Sequence, residues 1–283
     1  MQPRKRIQLR VLVTGALLVV VGGSCTQPTM NCTTAHLYYA AQYKLTSGDE
    51  NSPCAQQKGD ILGMQTYFAT GGINGTAKFS EPSAAIRPKY AGLLLQEALE
   101  YPVDVPGFTG MDEVLHWPNA LGKFESGFPD DEDLCHVDEL DSAFDRPELP
   151  AYTVEDDPET PDVDETSMVE ATPAISVRYE WTNARWLNTP DAQGTQFEAD
   201  LKFTEDGCTA EYHVVAVSPN VACVTDDDCT ADGNGINPDF AVECDNKIND
   251  PENPDVVDDP MTEEDETTDF GLCVLAKKIP SYE

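Results

Sequence analysis

The stretch DDDCTADGNGINPD (Asp226–Asp239) sets oxygen-bearing side chains at alternating positions around a glycine. Counted from Asp228, Asp232 stands fifth, Gly233 sixth and Asp239 twelfth, which echoes a loop that wraps calcium in oxygens and bends sharply at glycine. The departures are Thr230 at the third place, Asp239 where a bidentate glutamate is usual, and Cys229, which a bridge can claim. Asp, Asn and Gly are also ordinary turn residues. An acidic, disulfide-tied loop is therefore the favoured reading, with Asp228, Asp232 and Asp239 as weak calcium candidates. A second set is Glu180, Glu198, Asp200, Glu211 and His213. Carboxylates of unequal pKa at a suitable separation cleave glycosides. These five, however, fall on the hydrophilic face of alternating strands, which favours a solvated surface. The four histidines, His36, His116, His136 and His213, form no H-E-x-x-H motif, and no G-x-S-x-G or phosphate-binding loop accompanies them. Of the tryptophans that could stack on sugars, Trp117, Trp181 and Trp186, Trp181 falls on an apolar stripe and Trp186 falls off it.

The nine cysteines are Cys25, Cys32, Cys54, Cys135, Cys208, Cys223, Cys229, Cys244 and Cys273. In an exporting cell such cysteines meet an oxidising compartment and pair. Eight can form four bridges and one is left over, and Cys25 stands apart from the rest. There are 105 pairings of eight, among which sequence does not choose. A bridge between Cys244 and Cys273 would close the acidic run between them as a loop. C-x-x-C spacing is absent, and oxidised cysteines argue against zinc.

The elements that must hold these groups are mostly strands. AHLYYAAQYKLT (residues 35–46) puts Leu37, Tyr39, Ala41, Tyr43 and Leu45 on one face, a half-buried strand. Further strands are expected at Ile61–Thr70, around Ala77–Phe79 and at Asn119–Glu125, with Gly71-Gly72 and Asn74-Gly75 as turns. Lys89–Glu100 breaks the pattern: Ala91, Leu94, Leu95 and Ala98 share a helical face after Pro88. ISVRYEW aligns Ile175, Val177, Tyr179 and Trp181. In QFEADLKFTEDGCTAEYHVVAV the pair Asp206-Gly207 marks a two-residue hairpin. That turn sets Glu205 opposite Cys208, Leu201 opposite Tyr212, Lys202 opposite Glu211 and Asp200 opposite His213. Apolar meets apolar and charge meets opposite charge, so turn and pattern agree on one register.

Charge and the N-terminus narrow the setting. The formal net charge is −35, which excludes nucleic acid as a partner and disfavours adsorption to anionic lipid. Residues 129–170 carry seventeen acids against the single base Arg146, and residues 249–270 carry ten acids and no base. Both read as irregular surface segments. Arg4, Lys5, Arg6 and Arg10 precede a charge-free apolar run, Val11 to Val21. That is the layout of a secretory signal and too short for a membrane span. Loss of residues 1–24 removes four bases and no acid and leaves −39.

Val21-Gly22-Gly23-Ser24-Cys25 resembles the lipobox of bacterial lipoproteins, with Gly22 where a leucine is usual. The resemblance implies acylation of Cys25, with palmitate among the chains, and a new N-terminus there. Thr26 in place of the aspartate that retains many such proteins at the inner membrane implies the outer membrane. The stretches YEW (179–181), GTQFEADL (194–201), DGCTAEYHVV (206–215), NPDF (237–240), LCVLA (272–276) and CTTAH (32–36) resemble a lipoprotein family of myxobacteria. It implies an envelope lipoprotein of unassigned activity and supplies no catalytic residues.

The expected protein is mainly β, a single antiparallel β-sandwich or partly closed barrel with one short helix and a disulfide-tied C-terminal segment. Its parts are a signal peptide (1–24), a lipidated tether (25–34), the first part of the β domain (35–128), an acidic linker or loop (129–172), a β meander of the same domain (173–222) and a cysteine-rich acidic segment (223–283). The expected role is structural or binding, without catalysis or a resident cofactor, and with the membrane as partner through an N-terminal lipid. The rivals are a calcium-dependent binding module and a secreted glycan hydrolase.

Overall fold

A computed structural model describes residues 30–35, 38–71, 76–102, 118–154, 167–248 and 270–282. The expected signal, Cys25, His36, His116, Trp117, the turn at 72–75 and nearly all of the acidic run 249–270 lie outside the described residues.

Eight strands form one antiparallel sheet: β1 (Tyr38–Ser47), β2 (Gly59–Gly71), β3 (Thr76–Pro88), β4 (Ala120–Lys123), β5 (Leu134–Arg146), β8 (Ile175–Thr189), β9 (Ala192–Glu205) and β10 (Cys208–Val217). Their order is β4-β3-β2-β1-β10-β9-β8-β5, and the outermost pair come together to make a nearly closed barrel. At that seam the Glu125 N–H donates to the His136 carbonyl at 3.0 Å. Gly122 is required there, because a Cβ would come within 2.5 to 2.7 Å of Val137, Leu140 and the Glu139 carbonyl. An eight-stranded barrel has an interior that side chains just fill. Tyr39, Leu62, Ile86, Phe144, Trp181, Phe197 and Tyr212 fill this one.

The two ends of the barrel are closed differently. Helix α1 (Lys89–Glu100) follows β3 and packs Ala91, Leu94 and Leu95 into the core, as its spacing predicts. Pro88 is its N-cap. At the other end residues 30–35 plug the barrel: Cys32 is bridged to Cys135, and the Thr34 N–H donates to the Thr66 hydroxyl at 2.8 Å.

The hairpin forms with the predicted register, Lys202 opposite Glu211 and Asp200 opposite His213. Asp206 (φ 47°) and Gly207 (φ 83°) both take left-handed backbone, the geometry of a type I′ turn. The reading of residues 129–172 as an irregular acidic stretch is corrected in part. Residues 134–146 are barrel strand β5, with Leu134, Val137, Leu140 and Phe144 buried. Their acids alternate outward, so charge density concealed a half-buried strand. Arg146, the lone base, is itself buried and bonds to Glu97 of α1 and the Pro173 carbonyl. A short ribbon, β6 (Tyr152–Val154) with β7 (Ser167–Val169), follows.

The C-terminal segment adds β11 (Ala222–Cys223), α2 (Asp226–Cys229), β12 (Val242–Asp245) and β13 (Gly271–Leu275). Ile248, Leu272 and Val274 roof Ala40 and Ile61, while Phe240, Leu275 and Ile279 join a cluster with Val215 and Val217. The run Val214–Val217 is therefore buried on both faces, which is why it does not alternate.

Candidate functional site

A polar cleft lies on the outer wall of β8, β9 and β10, where a bulge creates it. Along β8 the inward residues Val177, Tyr179 and Trp181 hold one parity; then the pairing with β9 slips between Thr182 and Arg185, with Asn183 at φ 53°. One extra residue reverses the parity. Ala184 and Trp186 consequently point inward, and Arg185 comes out opposite Glu198. The expectation that Trp186 sits off the core and is available to sugars is overturned by this bulge. It is fully buried against Phe124 and Phe197, with its indole N–H on the Met64 sulfur.

Glu198, expected on a solvated face, is 2% exposed. The strap formed by residues 277–282 folds over it. One carboxylate oxygen accepts from Arg185 Nη2 at 2.6 Å and lies 3.3 Å from His213 Nε2; the other accepts the Ile279 N–H at 3.0 Å. Next to it Gln196 exchanges two hydrogen bonds with the backbone of Ser281. Asp200 lies 3.2 Å from His213 Nδ1 and accepts from the Asn183 amide at 2.8 Å. Burial works to raise the Asp200 pKa, but those two bonds and the charges of His213 and Lys278 outweigh it and hold the carboxyl below its usual value. The cleft encloses about 370 Å³ and is also walled by His136, Asp138 and Glu125. Asp138 hydrogen-bonds and repels Glu125, pushing that carboxyl above its usual range. Glu180 and Lys202 remain in solvent as a 2.6 Å surface pair, and Glu211 is exposed, as the alternation predicts.

The calcium candidates are not gathered. The Asp228 carboxylate is spent on the N-terminus of α2, accepting the Val224 and Thr225 N–H groups at 2.8 and 2.9 Å, and those bonds lower its pKa. Among the described residues, Asp228, Asp232 and Asp239 form no group of three neighbouring ligand atoms. Among the described residues, the one cluster of three His, Cys, Asp or Glu ligand atoms is Cys223, Cys229 and Cys244, whose sulfurs are all in disulfides. The bridges are Cys32–Cys135, Cys54–Cys208, Cys223–Cys244 and Cys229–Cys273. Cys244 and Cys273 are register partners in β12 and β13 but each bonds elsewhere, so the loop closure considered above does not form.

One buried ionisable group escaped sequence reasoning. Asp60, inward on β2 beneath α1, is 6% exposed. Burial pushes its pKa to about 7, against bonds from the Ile61 and Tyr90 N–H groups and the nearby Lys89. Its only sequence signal was an acid one step before an apolar strand.

Residues 37–219 match the MlpA family, which covers the barrel strands and more than half of the chain. The chain belongs to the MlpA family. A relative in Myxococcus xanthus, named "Putative lipoprotein MlpA", is 38% identical over 113 residues, covering 38% of this chain and 41% of that protein. The aligned stretch thus spans less than half of the relative's length. The MlpA match agrees with the myxobacterial resemblance seen in the sequence. No solved structure matches.

Proposed function

We propose that this chain is an outer-membrane lipoprotein, exported by residues 1–24, acylated at Cys25 and carrying a barrel that binds or supports without catalysis. The observation that carries the anchor is the cysteine count: eight of nine are consumed in four bridges, leaving Cys25, at the end of the signal, as the odd thiol. The lipoprotein name of the M. xanthus relative supports the same reading. The Glu198–Asp200–His213 set supports binding over hydrolysis, and the raised carboxyl of the cleft, Glu125, lies apart from it in a hydrogen bond with Asp138. Glycoside cleavage needs a carboxylic acid of raised pKa facing a second carboxyl. Here Glu198 is committed to Arg185 and Ile279, and Asp200 is held as an anion. Mass spectrometry of the mature N-terminus tests the anchor. The expected result is an acylated Cys25, with Cys25→Ser released from detergent phase to buffer or left with its signal uncleaved. An unmodified N-terminus at another residue would overturn it.

A further inference from the structure

The outer wall formed by β2, β3, β4 and the start of β1 differs in kind from the rest of this acidic molecule. Ile61–Ser80, twenty residues, contains no acid. The outward side chains there include Tyr38, Tyr67 and Leu121, which are 59%, 51% and 62% exposed. Two adjoining grooves of about 870 and 620 Å³ share Tyr38, Gly63 and Arg87, and the larger has no acidic residue in its lining. Arg87 and Lys123 project from the same wall and form no ion pair among the described residues. Exposed Leu99 of α1 borders the smaller groove.

The tether enters at the end of the barrel next to this wall, where it also meets Cys135 of β5 and Asn188 of β8. Thr34 bonds to Thr66, the neighbour of Tyr67, and the Cys32 N–H donates to the Gly127 carbonyl just beyond β4, beside exposed Phe128. Cys25 precedes Cys32 by seven residues, which span at most about 25 Å when extended. An acyl group on Cys25 therefore holds this end of the barrel close to the bilayer, and the chemistry of the walls decides which of them turns to it. At that distance the remaining acids are repelled by anionic headgroups, whereas the larger groove is lined without acid and Glu81 of β3 is paired with Lys78 at 3.5 Å. Tyrosines, a leucine and long cationic side chains are the residues that settle at a lipid–water interface, rings and stems in the headgroup layer and charges at its surface.

We propose that the Tyr38–Tyr67–Leu121 wall rests on the headgroup layer of the membrane that carries the anchor, so that the polar cleft on the opposite wall faces away from it. The proposal rests on acylation of Cys25. Its test places a tryptophan on the acylated protein at Leu121→Trp, or as a control at Glu211→Trp. Each is bound to vesicles of phosphatidylethanolamine and phosphatidylglycerol with brominated acyl chains. The expected result is co-sedimentation of both variants with the vesicles. The emission added at Leu121→Trp should then be quenched by bromine and that added at Glu211→Trp should not. Both sites are exposed, so folding is not at stake. Co-sedimentation with no quenching at Leu121→Trp, or equal quenching at both sites, would overturn the contact while leaving the anchor standing, and would give the wall to a protein partner or to none. Failure to sediment would overturn both.

Discussion

The outer wall of β9 and β10 lies under chain that two disulfides hold down, whereas the wall of β2, β3 and β4 carries Tyr67 and Leu121 with no described residue over them. Both walls belong to one sheet with one interior, so the difference lies in what their outward residues were given to meet. On the covered wall the outward positions are either apolar, as in Val215 and Val217, or ionic and answered, as in Glu198 with Arg185 and Ile279. Around the larger groove of the other wall they are glycine, glutamine, tyrosine, leucine and arginine, and the nearby carboxylate of Glu81 is answered by Lys78. A covering element leaves apolar residues at both parities of a strand. A wall meant for an interface leaves an absence of acid.

Disulfide removal should show how unequal the two parts are. Replacing Cys54 and Cys208 by serine releases a tie across 154 residues of barrel and should cost about 5 kcal/mol on loop entropy. Replacing Cys223 and Cys244, 21 residues apart in the C-terminal segment, should cost about 3 kcal/mol. Urea unfolding of both double variants checks the ranking. Equal losses would mean that the C-terminal segment and the barrel unfold as one unit of equal dependence.

Asp60 in the barrel interior and Asp200 in the cleft should respond to pH in opposite senses. Asp60 has a folded pKa of about 7 against 3.8 for the free group. It binds its proton more tightly when folded, so its contribution is favourable below about pH 4 and is lost as pH rises through about 7. Asp60→Asn should be more stable than the parent by on the order of 3 kcal/mol above neutrality, with the gap closing near pH 4. Asp200 has a lowered pKa; its contribution is present above the free-group value and lost on acidification, so Asp200→Asn should destabilise at pH 7 and not in acid. Thermal melts across pH resolve the opposite trends, and two curves of the same slope would contradict them.

Glu198→Ala should cost about 2 kcal/mol, because it strands the Ile279 N–H and frees Arg185. Limited proteolysis should then cut the strap at residues 277–282 faster than the barrel. Gly207→Val should cost about 1 kcal/mol or more by forcing a β-branched residue to φ 83°. Leu121→Glu on the bare wall should change stability by less than about 0.5 kcal/mol, while weakening vesicle contact.

The parts of the fold most legible in sequence were those where local chemistry and periodicity agree. Asp206-Gly207 specified the hairpin register, and the spacing of Ala91, Leu94, Leu95 and Ala98 specified α1 residue for residue. β5 was missed because its outward acids dominated the composition, although Leu134, Leu140 and Phe144 were there to be read. Trp186 was misplaced because one bulged residue at Asn183 reverses every later side chain, and no short-range signal announces it. The cleft was half visible: the pairing of Asp200 with His213 follows from the hairpin. The burial of Glu198 depends on a strap some eighty residues away that sequence alone does not bring back.

Hydroxyl-radical footprinting of the acylated protein, free in detergent-depleted buffer and bound to phosphatidylethanolamine–phosphatidylglycerol vesicles, tests the contrast between the walls most directly. Tyr38, Tyr67 and Leu121 should lose reactivity on the vesicle, while Met168, which is 70% exposed, keeps its own. Unchanged labelling of Tyr38 and Tyr67 on vesicle-bound protein would contradict the account.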